Sequence, residues 1–171
     1  MADAFISQLR TGDNAAWEQV YDLLAGDVRA YVSRLGSREP DDIVGETMVQ
    51  LVRDISRFTG TSHELRPWAF RIAHNRVIDA ARRRGARPTE VQVDPSSESL
   101  VTPAPLTESP DLDRLSELLD GLTIDQREVV WLRFGADMSL DDTATILGKS
   151  PDAVAALTHR ALRTLRASLS H

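Results

Sequence analysis

Five of the eight prolines in this chain fall within one stretch, residues 88–110, PTEVQVDPSSESLVTPAPLTESP. The same stretch is rich in Ser and Thr and carries four acids and no base. Proline lacks a backbone N–H and cannot continue a helix or a central strand. With little apolar surface to bury, such a segment cannot offset the entropy of ordering itself, and it reads as a flexible linker. A 171-residue chain interrupted in this way cannot close around a single core. It is expected to fold as two small units, residues 1–87 and residues 111–171, on either side of a tether.

Both units read as helical. Apolar residues recur at helical spacing through residues 1–85, with little strand-like alternation. A first pair of helices is expected over about Ala2–Arg10 and Ala15–Arg34, closed by LGSREP. A third runs from about Asp41 to Phe58, opened by Pro40 and two acids that suit the positive end of a helix dipole. After the loop TGTSHELRP, a long helix extends from about Trp68 to Arg84 and is stopped by Gly85 and Pro88. Beyond the linker, DLDRLSELLDGL and TIDQREVVWLRF give two more helices. The class is therefore all-α, four helices on each side of the tether, with no internal repeat.

The segment SLDDTATILGKSPDAVAALTHRALRTLR adds two helices and a tight turn. Ser139 suits an N-cap, with Asp142 three residues on in the capping-box place. Gly148 supplies the left-handed residue that a helix stop needs. Ser150 caps the next helix and Pro151 fills its first position, where a missing N–H is harmless. This is a helix-turn-helix, whose second helix, about Pro151–Leu169, has the form that enters a DNA major groove.

Composition narrows the field. The net charge of −6 argues against nucleic-acid binding by bulk electrostatics alone. Residues 1–87 carry 13 Arg against 12 acids, residues 111–171 carry 7 bases against 10 acids, and basic charge gathers at Arg82, Arg83, Arg84 and Arg87. Weak binding to free duplex and dependence on a larger partner follow. The absence of cysteine excludes disulfides and thiolate metal sites, and His63, His74, His159 and His171 lack paired ligand spacing, so no metal or cofactor is expected. No apolar run suits a membrane span and the start lacks a basic leader, so no membrane insertion and a cytoplasmic location are expected. No nucleophile elbow, paired metal motif or glycine-rich phosphate loop suggests an enzyme, and no catalytic residue is assigned.

Two helices carry chemistry-bearing patterns. In DDIVGETMVQLVRDISRF, Ile43, Met48, Leu51, Val52 and Ile55 form an apolar stripe, while Asp42, Glu46, Gln50 and Arg53 form a polar one. A solvated face and a docking face are both open readings. Gly45 costs about 1 kcal/mol against alanine in a helix and would let a partner approach closely. In RPWAFRIAHNRVIDAARRRG, Phe70, Ile72, Ala73, Val77, Ile78 and Ala81 can pack inward. Asn75, Asp79, Arg82 and Arg83 recur on another face, with Trp68 at the helix start. Amide and guanidinium groups bond base edges and phosphates, and an aromatic can stack on an unpaired base. A core tryptophan and a solvated helix end explain the same residues.

Asp41-Asp42-Ile43-Val44-x-Glu46-Thr47, followed by Trp68-x-x-x-Ile72-Ala73-x-Asn75-x-x-x-Asp79-x-x-Arg82-Arg83, resembles the second region of bacterial sigma factors of the extracytoplasmic-function group. Leu122-Thr123-x-x-Gln126-Arg127-x-Val129, Leu132-Arg133-Phe134, Ser139, Ala144, Leu147-Gly148 and Arg160-Ala161-Leu162-x-x-Leu165-Arg166 are similar to the group's fourth region. The resemblance covers nearly all of the chain outside the linker. It implies an alternative sigma factor that binds RNA polymerase core, through the clamp helices of the largest subunit and the β subunit, and directs promoter recognition and opening. On that basis Asp41, Asp42, Glu46 and Gln50 are the core-binding candidates, with Gly45 departing from the glutamine often found there. Trp68, Asn75, Asp79, Arg82 and Arg83 are candidates for the −10 element, and the loop Thr59–Arg66 for cradling a flipped base. Lys149, Ser150, Asp152, Thr158, His159, Arg160 and Arg163 are candidates for the −35 element.

The resemblance also implies control by an anti-sigma factor. One departure stands out: Ala153, Ala155, Ala156 and Leu157 occupy places where related chains present Lys, Arg or Ser to DNA. Either the −35 contact is dominated by shape and phosphates, or the face is misassigned by a residue or two. A sigma-like or helix-turn-helix regulatory protein that binds a partner without initiating transcription is the alternative.

Overall fold

Asp3 opens the first helix of the computed structural model, α1 (Ala4–Arg10), its Oδ1 accepting from the N–H groups of Phe5 at 3.1 Å and Ile6 at 3.4 Å. The structure describes residues 3–85, 119 and 121–169. Asp13 repeats the device at the head of α2 (Asn14–Arg34), accepting from Ala16 N at 3.1 Å. Both caps satisfy N–H groups that a helix start leaves unpaired. In α2, Ala16, Val20, Leu24, Val28 and Val32 recur every four residues and are all buried, so one stripe faces the core. Gly36, at φ 78°, ends the helix in the left-handed region.

Helix α3 (Pro40–Asp54) starts with proline at its first position and runs into a 3-10 turn, Ile55–Arg57. The expected single helix to Phe58 is thus tightened over its last turn. A second 3-10 turn, Ser62–Glu64, leads straight into α4 (Leu65–Arg83). The expected start at Trp68 is three residues late, because Pro67 sits in the first turn of α4, where a missing N–H is tolerated. Helices α2, α3 and α4 pack on one another. Phe70, Ala69 and Ala73 are fully buried, and Tyr31 meets Phe70 at 5.3 Å between ring centroids. The expected inward stripe of α3 needs correction: Val52 is 52% exposed, while Val44 and Thr47 are buried in its place. Thr47 is tolerated there because its hydroxyl donates to Ile43 O at 2.7 Å.

In the second unit, Thr123 and Gln126 form a reciprocal capping box at the head of α5 (Ile124–Val130). The helix widens into a π turn, Trp131–Gly135, where a continuous helix to Phe134 was expected. Helix α6 (Leu140–Leu147) is capped by Ser139, whose Oγ accepts from Asp142 N at 3.0 Å and donates to the Asp142 carboxylate at 2.6 Å. Gly148, at φ 61°, ends it as expected, and α7 (Pro151–Leu169) follows with Ser150 accepting from Ala153 N. Val129, Ala144 and Val154 form one core cluster of this unit, with Leu140, Leu147 and Leu157 packed against them, and Leu132 and Ile146 are buried as well. Among the described residues there is no strand, and no helix is long and apolar enough to cross a membrane. The linker 88–110 and most of the helix expected over residues 111–122 lie outside the described residues.

Candidate functional site

On α3, Asp41, Asp42 and Glu46 are exposed and Gln50 is half-buried. Asp41 Oδ1 accepts from Arg29 Nε of α2 at 2.6 Å, and that hydrogen bond, with the charge behind it, raises the Arg29 pKa. Glu46 and Gln50 lie one turn apart on one side of the helix, the spacing that lets a single fork reach both. Arg76 of α4 supplies it, donating from Nη1 to Glu46 Oε2 at 2.6 Å and from Nη2 to Gln50 Oε1 at 2.8 Å. Its Nε is buried without a hydrogen-bond partner. Beside these groups Val49 is 57% exposed, and a Cβ built on Gly45 meets nothing within 4 Å. The face therefore combines fixed acids with a short bare apolar strip, a charged rim around an apolar centre.

Helix α4 turns Asn75, Asp79, Arg82 and Arg83 outward, and Arg71, at the same helical spacing one turn before Asn75, joins them. Asp79 Oδ1 lies 3.6 Å from Arg82 Nη1, and Arg83 Nε donates to Asp79 O at 3.4 Å. Trp68 is half-buried and stacks on Phe58, with centroids 4.5 Å apart and planes 14° apart. The ring of Phe58 also roofs Gly60, where any Cβ would lie 2.6 Å from Phe58 Cζ. Any side chain at position 60 would require the Phe58 ring to shift. Glu64 Oε2 accepts from Thr61 N at 2.7 Å and from Thr61 Oγ1 at 3.0 Å, and these bonds hold its pKa below the ordinary glutamate value. Arg66 donates to Asp27 of α2 at 2.8 Å and lies over the Phe70 ring. The loop 58–64 is thus built from fixed contacts, with Thr59, Thr61 and His63 exposed.

In the second unit the outward face of α7 carries Asp152, Ala155, Ala156, His159, Arg160, Arg163 and Arg166. Three expected candidates have structural partners. Lys149 Nζ lies 3.3 Å from Asp125 Oδ2, Ser150 caps α7, and half-buried Thr158 donates to Val154 O at 2.8 Å. Leu157 packs inward and does not belong to the outward face. The helix bounds hold, so Ala155 and Ala156 do face outward, and the basic groups come in the later turns.

Residues 18–87 match the family described as Sigma-70 region 2, and residues 112–165 match Sigma-70, region 4. The chain is 31% identical over 150 residues to the ECF RNA polymerase sigma factor ShbA of Streptomyces griseus, across 84% of this chain and 74% of that protein. The chain belongs to the ECF RNA polymerase sigma factors. A second member, BldN of Streptomyces coelicolor, is 28% identical over 170 residues; the match takes in 94% of this chain but spans only 62% of BldN. In three dimensions the chain is similar to the sigma factor RpoE of Bartonella quintana, solved with the anti-sigma factor NepR. That likeness has a TM-score of 0.68 at 26% identity, over 90% of this chain and 96% of the other.

Within this family frame, α3, the loop and α4 fall in the region 2 match, α5, α6 and all but the last four residues of α7 fall in the region 4 match, and α1 lies outside both. Residue reasoning missed Arg76, because its partners Glu46 and Gln50 stand some thirty residues away and only helix packing brings them together. It missed Arg71 and Arg166 although helical spacing marks both. Val49 stands outside the expected apolar stripe and outside the expected polar one, and its exposure follows from how α3 packs.

Proposed function

We propose that this ECF sigma factor binds RNA polymerase core through the outward face of α3, with Asp41, Asp42, Glu46 and Gln50 as contacts and Val49 at the centre. Residues 1–87 act as the core- and −10-binding domain, residues 88–110 as a tether and residues 111–171 as the −35-binding domain. Trp68, Asn75, Asp79, Arg82 and Arg83 meet the −10 element on α4, joined by Arg71. On α7, Asp152, His159, Arg160 and Arg163 meet the −35 element, joined by Arg166, while Lys149, Ser150 and Thr158 hold the turn and helix in place. Opening DNA requires no covalent step. Unstacking a base costs a few kcal/mol, which stacking and a fitted pocket offset, so no catalytic residue, metal or cofactor enters the reading, and the chain is not an enzyme. An anti-sigma factor that covers these faces would hold the protein inactive, and the work is done in the cytoplasm, where the polymerase is.

One observation carries the reading: acids with an open apolar strip on α3 lie beside an outward amide and guanidinium face on α4, tied together by Arg76. A second reading, a sigma-like protein that occupies core without initiating, draws on the alanines in the first turns of α7.

The deciding experiment is transcription from fragmented genomic DNA with purified core polymerase, followed by sequencing of the products. New start sites that share two upstream elements support initiation. Core binding without transcripts favours the second reading, and no core binding refutes both. Asp42→Ala with Glu46→Ala is expected to weaken core binding without unfolding, whereas Asn75→Ala with Arg82→Ala is expected to impair opening and spare core binding.

A further inference from the structure

Helix α1 lies outside the matched region, and none of the residues assigned above sits on it. Yet it is firmly seated: Ile6 and Leu9 are 2% and 1% exposed, and Trp17 Nε1 donates to Leu9 O at 3.1 Å. Both of its ends reach the loop between α3 and α4. Asp3 uses Oδ1 to cap α1 and Oδ2 to accept from Ser62 N at 2.6 Å. Arg10 donates from Nη2 to Phe58 O and from Nε to Ile55 O. The carbonyl that Arg10 holds belongs to the residue whose ring roofs Gly60 and stacks on Trp68.

We propose that α1 is a brace that fixes the loop 58–64 in the shape that receives an unpaired promoter base, with Asp3 and Arg10 as positioning residues for sequence selection. The inference rests on the promoter-opening reading above. A loop with one 3-10 turn and a glycine at its centre would otherwise sample many shapes, and each would have to be given up when a base is bound. Two ties from a helix nearly fifty residues upstream or more remove most of that freedom beforehand. The brace touches backbone groups of the loop and leaves its exposed side chains Thr59, Thr61 and His63 clear for the base. A purely structural role for α1 would instead affect every function of the unit alike.

The two ties can be cut gently. Asp3→Asn keeps a carbonyl oxygen for capping α1 but lacks the second acceptor for Ser62 N, and Arg10→Gln removes the guanidinium while keeping a polar chain. Leu9→Val weakens the packing of α1 without touching either tie and serves as the control. The full chain with core polymerase would select from promoter-length duplexes that hold a pre-opened stretch, randomised on one strand, and survivors would be sequenced. The wild type is expected to enrich bases at several positions. In Asp3→Asn and Arg10→Gln, preference at one position or two adjacent ones should fall about fivefold, roughly 1 kcal/mol, while the other positions and core affinity stay as they were. An unchanged pattern, or an even fading at all positions that Leu9→Val reproduces, overturns the brace. A wild type that binds core yet enriches nothing overturns the promoter-opening reading itself, and the brace with it.

Discussion

Helices α4 and α7 are both nineteen residues long and are the two proposed DNA readers, but they are held in different ways. α4 buries seven residues, packs against both α2 and α3, and is tied to α3 by Arg76. α7 also packs against two helices, α5 and α6, but buries only Val154 and Ala161 among its described residues. A reader anchored by seven buried residues holds its outward groups at fixed angles, which base-edge recognition and strand capture require. A reader with fewer buried anchors suits contacts that tolerate some roll, such as salt links to phosphates. The side chains agree: α4 presents an amide and a carboxylate among its arginines, whereas the early turns of α7 present Ala155 and Ala156 and its later turns Arg160, Arg163 and Arg166.

Phe70→Ala strikes the embedded helix hardest. Removing a fully buried aromatic ring is expected to cost about 3–5 kcal/mol, seen as an early thermal transition of the first unit with core and −10 functions lost together. A cost near 1 kcal/mol would mean that α4 is no pillar. Asn75→Ala and Arg163→Ala then sharpen the contrast between the readers. The first should change base preference, by about 1–3 kcal/mol at one position. The second should weaken binding evenly across sequences and lower the salt-dependence slope by about 1. If Arg163→Ala alters preference at a single base, the division of labour is wrong. Gly148→Ala forces a side chain into the left-handed region at φ 61°, with no clash around it, so the expected cost is about 1–2 kcal/mol, confined to the second unit.

The smallest effect concerns pH. Hydrogen bonds from Ser62 to Asp3 and from Thr61 to Glu64 hold both carboxyl pKa values below their ordinary values. Groups shifted down contribute fully above the unfolded pKa, and that contribution is lost as pH falls through the folded one. The ties should therefore persist through neutral and mildly acidic solution and loosen only below about pH 4. Carbon NMR titration of the two carboxyl groups checks this, and a midpoint at or above the free-residue value for either would remove its tie.

Much of the fold was legible because it is written locally. Ser139, Gly148, Ser150 and Pro151 each act on their own backbone neighbourhood, and the bounds of α6 and the start of α7 follow from them directly. The i, i+4 valines and leucines of α2 mark its buried face in the same way. What escaped is set by packing. Val52 and Val44 are chemically alike, and only the placement of α2 and α4 decides which one is covered. The helix expected from Trp68 starts at Leu65, because a 3-10 turn over Ser62–Glu64 leads straight into it. Of the site, the acids of α3 and the polar face of α4 were visible as periodic patterns. Arg76, Asp3 and Arg10 were not, since each gains its role from a partner about thirty to sixty residues distant.

The bare backbone at Gly45 gives the free protein nothing: no neighbour fills the space, and alanine there would steady α3 by about 1 kcal/mol. A methyl group in its place would nonetheless stand between the helix and whatever lies against it. The same atom count that makes this helix slightly frail in isolation sets how near a visitor's main chain can come. Selection for a sturdier α3 and selection for a closer embrace therefore pull on this one residue in opposite directions.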